Sequence, residues 1–289
     1  MAKDFDTLED SNRSSNPSIH QLSDPARRLF LRGGVGAAAT GLLAPLAGCA
    51  TTGALPLLGF KPVPVSIADT VTVPEGYTVE VIAPWGDPVG LSGELPAFRF
   101  DAGNSAAEQA AQMGMHHDGI HYFAQQGSQS GLLVMNHEYV DDGLLHPDGV
   151  ATWSAEKVRK SQAAHGVSVI EIELRNGAWS VVRPSAYARR VTATTPMRIA
   201  GPAAGHASMR TVADPAGTMV LGTINNCANG YTPWGTYLTC EENWNGYFAN
   251  AGTIPPEQRR YGVTAAGAGY RWHAYRSVEH TTELQSRGL

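Results

Sequence analysis

The chain has 289 residues, 43% of them hydrophobic and only 16% charged, which is enough to build a core without help from disulfides. Its 32 Gly and 18 Pro imply many turns and argue against coiled coils and helical bundles. With 21 Lys+Arg against 26 Asp+Glu, the net charge of -5 offers no basic excess to meet a phosphate backbone, so nucleic acid is not an expected partner.

Residues 1–25 are polar and mixed in charge and read as a leader with no fold of its own. Arg27-Arg28 followed by Phe30-Leu31 matches the twin-arginine export pattern, an address read by the translocase. Behind it, Gly33 to Gly48 is uncharged and shorter than the roughly 20 apolar residues of a membrane span, as expected for the middle of a signal peptide. Leu46-Ala47-Gly48-Cys49 resembles a lipobox, which would make Cys49 a lipid-modified first residue and a membrane anchor; ordinary cleavage near Ala47 to Ala50 is the alternative. Residues 1–49 are therefore expected to be a signal peptide, and the protein periplasmic or anchored in the envelope. Twin-arginine export moves folded proteins, and folding first allows a metal to be loaded, so a cofactor is expected. Residues 50–65 are Pro-rich without period and predict an extended tether.

From there the pattern turns to strands. Pro74-Glu75-Gly76 signals a turn into an alternating run, Tyr77 to Ala83. Further strands are predicted at 121–123, 131–135, 167–174, 179–182, 219–223 and 237–240, separated by turn chemistry such as Arg175-Asn176-Gly177 and Asp214-Pro215-Ala216-Gly217. Two helices are predicted, over Ser105 to Met113 and Ser154 to Ala164, the second with Ser154 as N-cap and Glu156/Lys160 as an i,i+4 pair. Short strands with Gly/Pro turns mean an all-β sandwich, barrel or propeller, and periodicity alone does not choose among them.

Three polar clusters could carry chemistry. In the first, His117, Asp118 and His121 lie near the start of a strand that would put both histidines on one face and Asp118 on the other. The spacing matches no zinc signature, so a substrate-facing or structural role is preferred there to metal binding. In the second, Asn136-His137-Glu138 follows the apolar run Leu132 to Met135, which offers ligands for a hard cation at a sheet rim or else a polar strand terminus. The third is Cys240-Glu241-Glu242-Asn243, with Cys227 thirteen residues upstream of Cys240. Alternation places Cys240 with Glu242 and Glu241 with Asn243, so one glutamate should reach a given site. A thiolate beside carboxylates would suit a mixed-metal centre; a Cys227–Cys240 disulfide with solvated glutamates is the other reading, and both stay open on spacing alone.

Twin-arginine export, Gly-Met-His-His-Asp-Gly-Ile-His at 114–121, Leu-Val-Met-Asn-His-Glu-Tyr at 133–139, Thr-Cys-Glu-Glu-Asn-Trp at 239–244 and Tyr-Arg-Trp-His at 270–273 together resemble the PhoX-type alkaline phosphatases. The resemblance implies a β-propeller enzyme that hydrolyses small phosphomonoesters by metal-assisted attack, with iron and calcium as cofactors. It makes Cys227 an iron ligand and Glu242, Asn243 and Glu138 metal ligands, with Asn136 and Glu241 as further candidates and no protein nucleophile. It covers residues 66–273, the first part of the family's chain; the tail at 274–289 lacks a strand pattern, so a frameshift or truncation near 274 is expected. The fold expected is then all-β, propeller-like and incomplete, with short helical insertions, monomeric, and of little activity alone. Rival readings are a calcium-dependent propeller hydrolase of lactonase or phosphodiesterase type and a non-catalytic calcium-binding envelope lipoprotein.

Overall fold

The computed structural model describes residues 61–93, 95–267 and 269–275. The signal segment with Arg27, Arg28 and Cys49, the tether up to residue 60 and the tail from 276 lie outside the described residues. Two compact units are distinguished, with the boundary at Val79/Glu80. The described part of the first is coil held by Lys61–Glu75 (2.9 Å) and by the predicted turn, where Tyr77 N donates to Pro74 O and Gly76 takes φ 88°. The strand predicted over Tyr77 to Ala83 does not form: Val79 and Val81 are exposed and the stretch enters no ladder. Among the described residues no strand pairs with this stretch, and only its end, Ile82 and Ala83, packs on the core.

The strand ladders of the second unit are all antiparallel. Strands β1 (His117–Gln125), β2 (Ser130–His137), β3 (Gly166–Arg175) and β4 (Ala178–Val181) form a meander in the order β1-β2-β3-β4. β5 (Arg189–Val191) pairs with Val167 to Val169 of β3, along the edge that carries β4 further on. Two separate hairpin-like pairs follow, β6 (Thr195–Arg198) with β7 (Met219–Gly222) and β8 (Asn226–Tyr231) with β9 (Tyr237–Glu241). β5, β6 and β8 were not predicted. β8 reads Asn-Cys-Ala-Asn-Gly-Tyr, whose polar and small residues carry no period-2 apolar signal.

The longest helix matches its prediction. α3 (Ala155–Ala164) starts at Ser154, whose hydroxyl accepts from Lys157 N, after two four-residue turns, α1 (Ala106–Gln109) and α2 (Asp142–Leu145). The predicted Glu156/Lys160 pair is absent. Glu156 pairs with Arg159 at 3.0 Å, while buried Lys160 donates to the carbonyls of Ala102 and Leu145, both at 2.7 Å. The helix predicted to reach Met113 ends at Gln109, because Ala111 and Met113 spend their backbone groups on the extended 86–89 segment. A last short helix, α4 (Pro256–Arg260), lies near the end.

Val89, Met113, Met135, Ile170 and Ile172 form one core against the meander, while Val158, Ala193, Ile224, Tyr247 and Trp272 form another around α3. Between them Arg190 of β5 has its guanidinium enclosed by the carbonyls of Gln112, Ala163, Val167 and Val191. Among the described residues no helix is long and apolar enough to cross a membrane.

Candidate metal centre

A β-bulge decides which side chains meet. His117 pairs with His137 but Ile120 pairs with Met135, so one extra residue sits in β1 at 118–119. Each such residue reverses the alternation. His117 therefore shares the face of His137, with ring centroids 4.7 Å apart, while His121 lies on the face of Val134 and stacks on Tyr231 of β8 at 3.8 Å. The expectation that both histidines share one face is thus corrected. Asp118 is released toward β8, where Asn136 and Glu138 also lie.

There Asp118, Glu138 and Cys227 bring one carboxylate oxygen each and the thiol within 4.8 Å of one another. The Cys227 thiol donates to Asp118; with Glu242 and Glu138 adding negative charge, it is pushed up to about 11. The Glu138 carboxyl is also raised, by burial first, then by its hydrogen bond to Asp118 and the charges of Asp118 and Glu242. Crowded acids of this kind are relieved by a cation. Two hard oxygens beside a soft sulfur form a donor set that fits one.

Cys227 and Cys240 are both free thiols, so the disulfide reading is set aside. Glu242 and Asn243 join the cluster's rim together, against the alternation that paired Asn243 with Glu241. β9 stops at Glu241, Asn243 turns left-handed at φ 51°, and its Nδ2 donates to Glu242 Oε1 at 2.7 Å. Glu241 turns away: its Oε1 accepts from Thr223 Oγ1 (2.7 Å) and Ile224 N (3.0 Å).

Asn136 is fully buried and already engaged. Its Nδ2 donates to Cys227 O at 2.9 Å, and its Oδ1 accepts from the Tyr237 hydroxyl (2.9 Å) and Thr239 Oγ1 (3.0 Å). The two further candidates, Asn136 and Glu241, thus both hydrogen-bond to the chain segments beside the cluster, and neither is among the three groups that converge within 4.8 Å. Gly119 is required at the bulge, since a Cβ there would stand 2.7 Å from Asn229 Cβ and 2.8 Å from Asn136 Nδ2.

Beside Glu138 lies an open cleft of ≈ 390 Å³, lined among others by Tyr139, Asn225, Asn243, Tyr247 and Tyr270. Sequence reasoning missed Asn225 and Tyr247, and gave Asp118 a different role. Asp118 was legible only through the bulge, which an Asp-Gly pair inside a strand hints at.

The family model for alkaline phosphatase PhoX matches residues 58–285. The chain belongs to the PhoX alkaline phosphatase family. The solved structure of Pseudomonas fluorescens PhoX in complex with vanadate, a transition state analogue, is 45% identical to it, with a TM-score of 0.72 over 76% of this chain. The same match covers 38% of the Pseudomonas PhoX, so the chain spans well under half of that protein's length. No curated protein matches the chain. The strand-rich antiparallel architecture is thus that of part of a propeller-like PhoX fold.

Proposed function

We propose that the chain carries part of the metal centre of a phosphomonoester hydrolase, with iron on Cys227 and calcium on the oxygens of Asp118, Glu138, Glu242 and Asn243. The convergence of Asp118, Glu138 and Cys227 within 4.8 Å carries this reading, together with family membership. A bound cation would supply charge to offset that of a phosphoryl group in the transition state. The chain's own contribution is to hold the donors in place. Asn136 fixes the Cys227 backbone, Glu241 fixes the 223–224 turn, and the β1 bulge aims Asp118 across to β8. His121 lies on the same side as Asp118 and is proposed to face substrate, whereas His117 is structural, packed against His137.

Export by the twin-arginine translocase through Arg27-Arg28, a periplasmic or envelope location, a lipid anchor at Cys49 and a monomeric state belong to the same proposal. The lactonase-type and non-catalytic lipoprotein readings find no observation in their favour, and the second loses its disulfide.

The test is p-nitrophenyl phosphate hydrolysis by the chain supplied with iron and calcium, beside its metal content and the thiolate-to-iron absorption. Cys227→Ser is expected to abolish the absorption and lower bound iron, and chelator to stop any turnover. Undiminished iron in Cys227→Ser, or turnover that survives chelator, overturns the proposal.

A further inference from the structure

A chain of hydrogen bonds runs from the interior of the second core to the rim of the metal centre. His165 is fully buried; its Nδ1 lies 2.7 Å from Ser161 O and its Nε2 lies 3.0 Å from the Tyr247 hydroxyl. Asn225 Nδ2 donates to that same hydroxyl at 2.8 Å, and Asn243 Nδ2 donates to Asn225 Oδ1 at 2.9 Å.

The direction of every bond in this chain follows from its inner end. A backbone carbonyl can only accept, so the proton of a neutral His165 sits on Nδ1 and leaves Nε2 as an acceptor. Tyr247 must then donate its single O–H to Nε2, so its oxygen can only accept from Asn225. Asn225 turns its NH₂ inward to Tyr247 and its Oδ1 outward. Asn243 meets that oxygen with its NH₂, which leaves Asn243 Oδ1 for the cleft it lines. The outer end agrees independently, because the other Asn243 Nδ2 hydrogen meets the acceptor-only carboxylate of Glu242. Packing holds the middle: the His165 ring is edge-on to Tyr247, Tyr270 and Trp272, with centroids 5.2–5.4 Å away.

We propose that His165, Tyr247 and Asn225 are positioning residues that fix the amide of Asn243 so that its oxygen, not its nitrogen, is offered to a hard cation in the cleft. Amide orientation is otherwise free to invert, and an inverted Asn243 would present N–H to the cation. The inference rests on the metal-centre reading above but assigns roles to residues outside the ligand set proposed there.

Calcium alone, titrated into the full chain by calorimetry, is the probe, with the thiolate-to-iron absorption recorded in parallel. Tyr247→Phe keeps the ring and removes the one group that joins the two halves of the relay. It is expected to weaken calcium binding about tenfold or more, in the range typical of residues that orient ligands, while the Cys227-dependent iron absorption persists. His165→Phe breaks the same relay one link earlier, so the double variant should lose no more than either single one. An unchanged calcium affinity in folded Tyr247→Phe, or losses that add in the double variant, would overturn the relay. Should Tyr247→Phe fail to fold, Asn225→Asp decides the matter: it keeps the oxygen to which Asn243 donates, so retained affinity is expected and lost affinity overturns the proposal. A native chain that binds calcium and iron but is indifferent to Tyr247→Phe and His165→Phe rejects the relay alone. One that binds neither metal rejects the centre itself.

Discussion

Asn136 Nδ2 donates to the carbonyl oxygen of Cys227 over 2.9 Å, joining two points 91 residues apart in the chain. The same amide's oxygen takes the hydroxyls of Tyr237 and Thr239, so one buried side chain ties β2 to both β8 and β9. Asn136→Leu would leave the Cys227 carbonyl without this donor, at about 1–3 kcal/mol where it stays dry. It would also take one acceptor each from the Tyr237 and Thr239 hydroxyls, which keep Gly119 O and Asn226 Nδ2. A denaturant midpoint well below the native one is expected, with loss of Cys227-dependent iron binding. A stable variant with native iron content would show that Cys227 is held in place by other contacts.

The two adjacent glutamates should separate cleanly. Glu241→Ala removes the acceptor of Thr223 and Ile224 and is expected to cost about 1 kcal/mol in stability. Metal affinity should change little. Glu242→Gln keeps the bond from Asn243 but removes charge from the rim, so it should weaken calcium binding with stability near native. Calorimetry and urea titration of the two variants, compared pairwise, check this; equal effects on calcium binding would contradict it.

In the metal-free chain the thiols should differ in reactivity. Cys240 is exposed, whereas Cys227 is half-buried and pushed up to about 11 by its hydrogen bond to Asp118 and by neighbouring carboxylates. At pH 7 roughly one Cys227 in ten thousand is then thiolate, the form that reacts. Iodoacetamide is expected to label Cys240 long before Cys227, and Asp118→Asn should hasten labelling of Cys227. Peptide mapping over time reads both.

His165 should make the fold acid-sensitive. Burial holds its pKa down to about 4, with the charge of Arg190 acting in the same direction. Below the ordinary value of about 6.5, the unfolded chain binds a proton that the folded chain refuses, so stability present above pH 6.5 is lost as pH falls toward 4 and levels off below. The full shift corresponds to about 3 kcal/mol. His137, fully buried and well below its ordinary range for the same cause, adds to the loss. Urea midpoints at pH 7 and pH 4.5 should converge in His165→Gln relative to the native chain; an unchanged difference would remove His165 as the cause.

The meander was legible because β3 carries apolar residues at the pleat's period and β2 a continuous apolar run, Leu132 to Met135, between turn signals, and α3 because Ser154 caps it. β8 was not, since its stability comes from Asn226, whose Nδ2 donates to Thr223 and Thr239, and from Asn136 across the sheet. Such polar ties leave no hydrophobic pattern. The site was half legible for a related reason: strand alternation placed Glu241 and Glu242 on different faces, but a bulge at 118–119 and a left-handed Asn243 re-aimed their neighbours. Local backbone irregularity is where period-2 reasoning stops working.

The guanidinium of Arg190 meets four carbonyls and, among the described residues, no carboxylate. Its positive charge is therefore not cancelled locally, and it disfavours protonation of His117, His137 and His165 alike. The acids Asp118, Glu138 and Glu242 gather instead at the rim beyond β2 and β8. The unit is in effect a small battery, with its positive pole sunk in the sheet and its negative pole at the open end. A cation drifting past meets attraction at the mouth and repulsion deeper in, so the charge layout itself holds it at the rim, beside the acids.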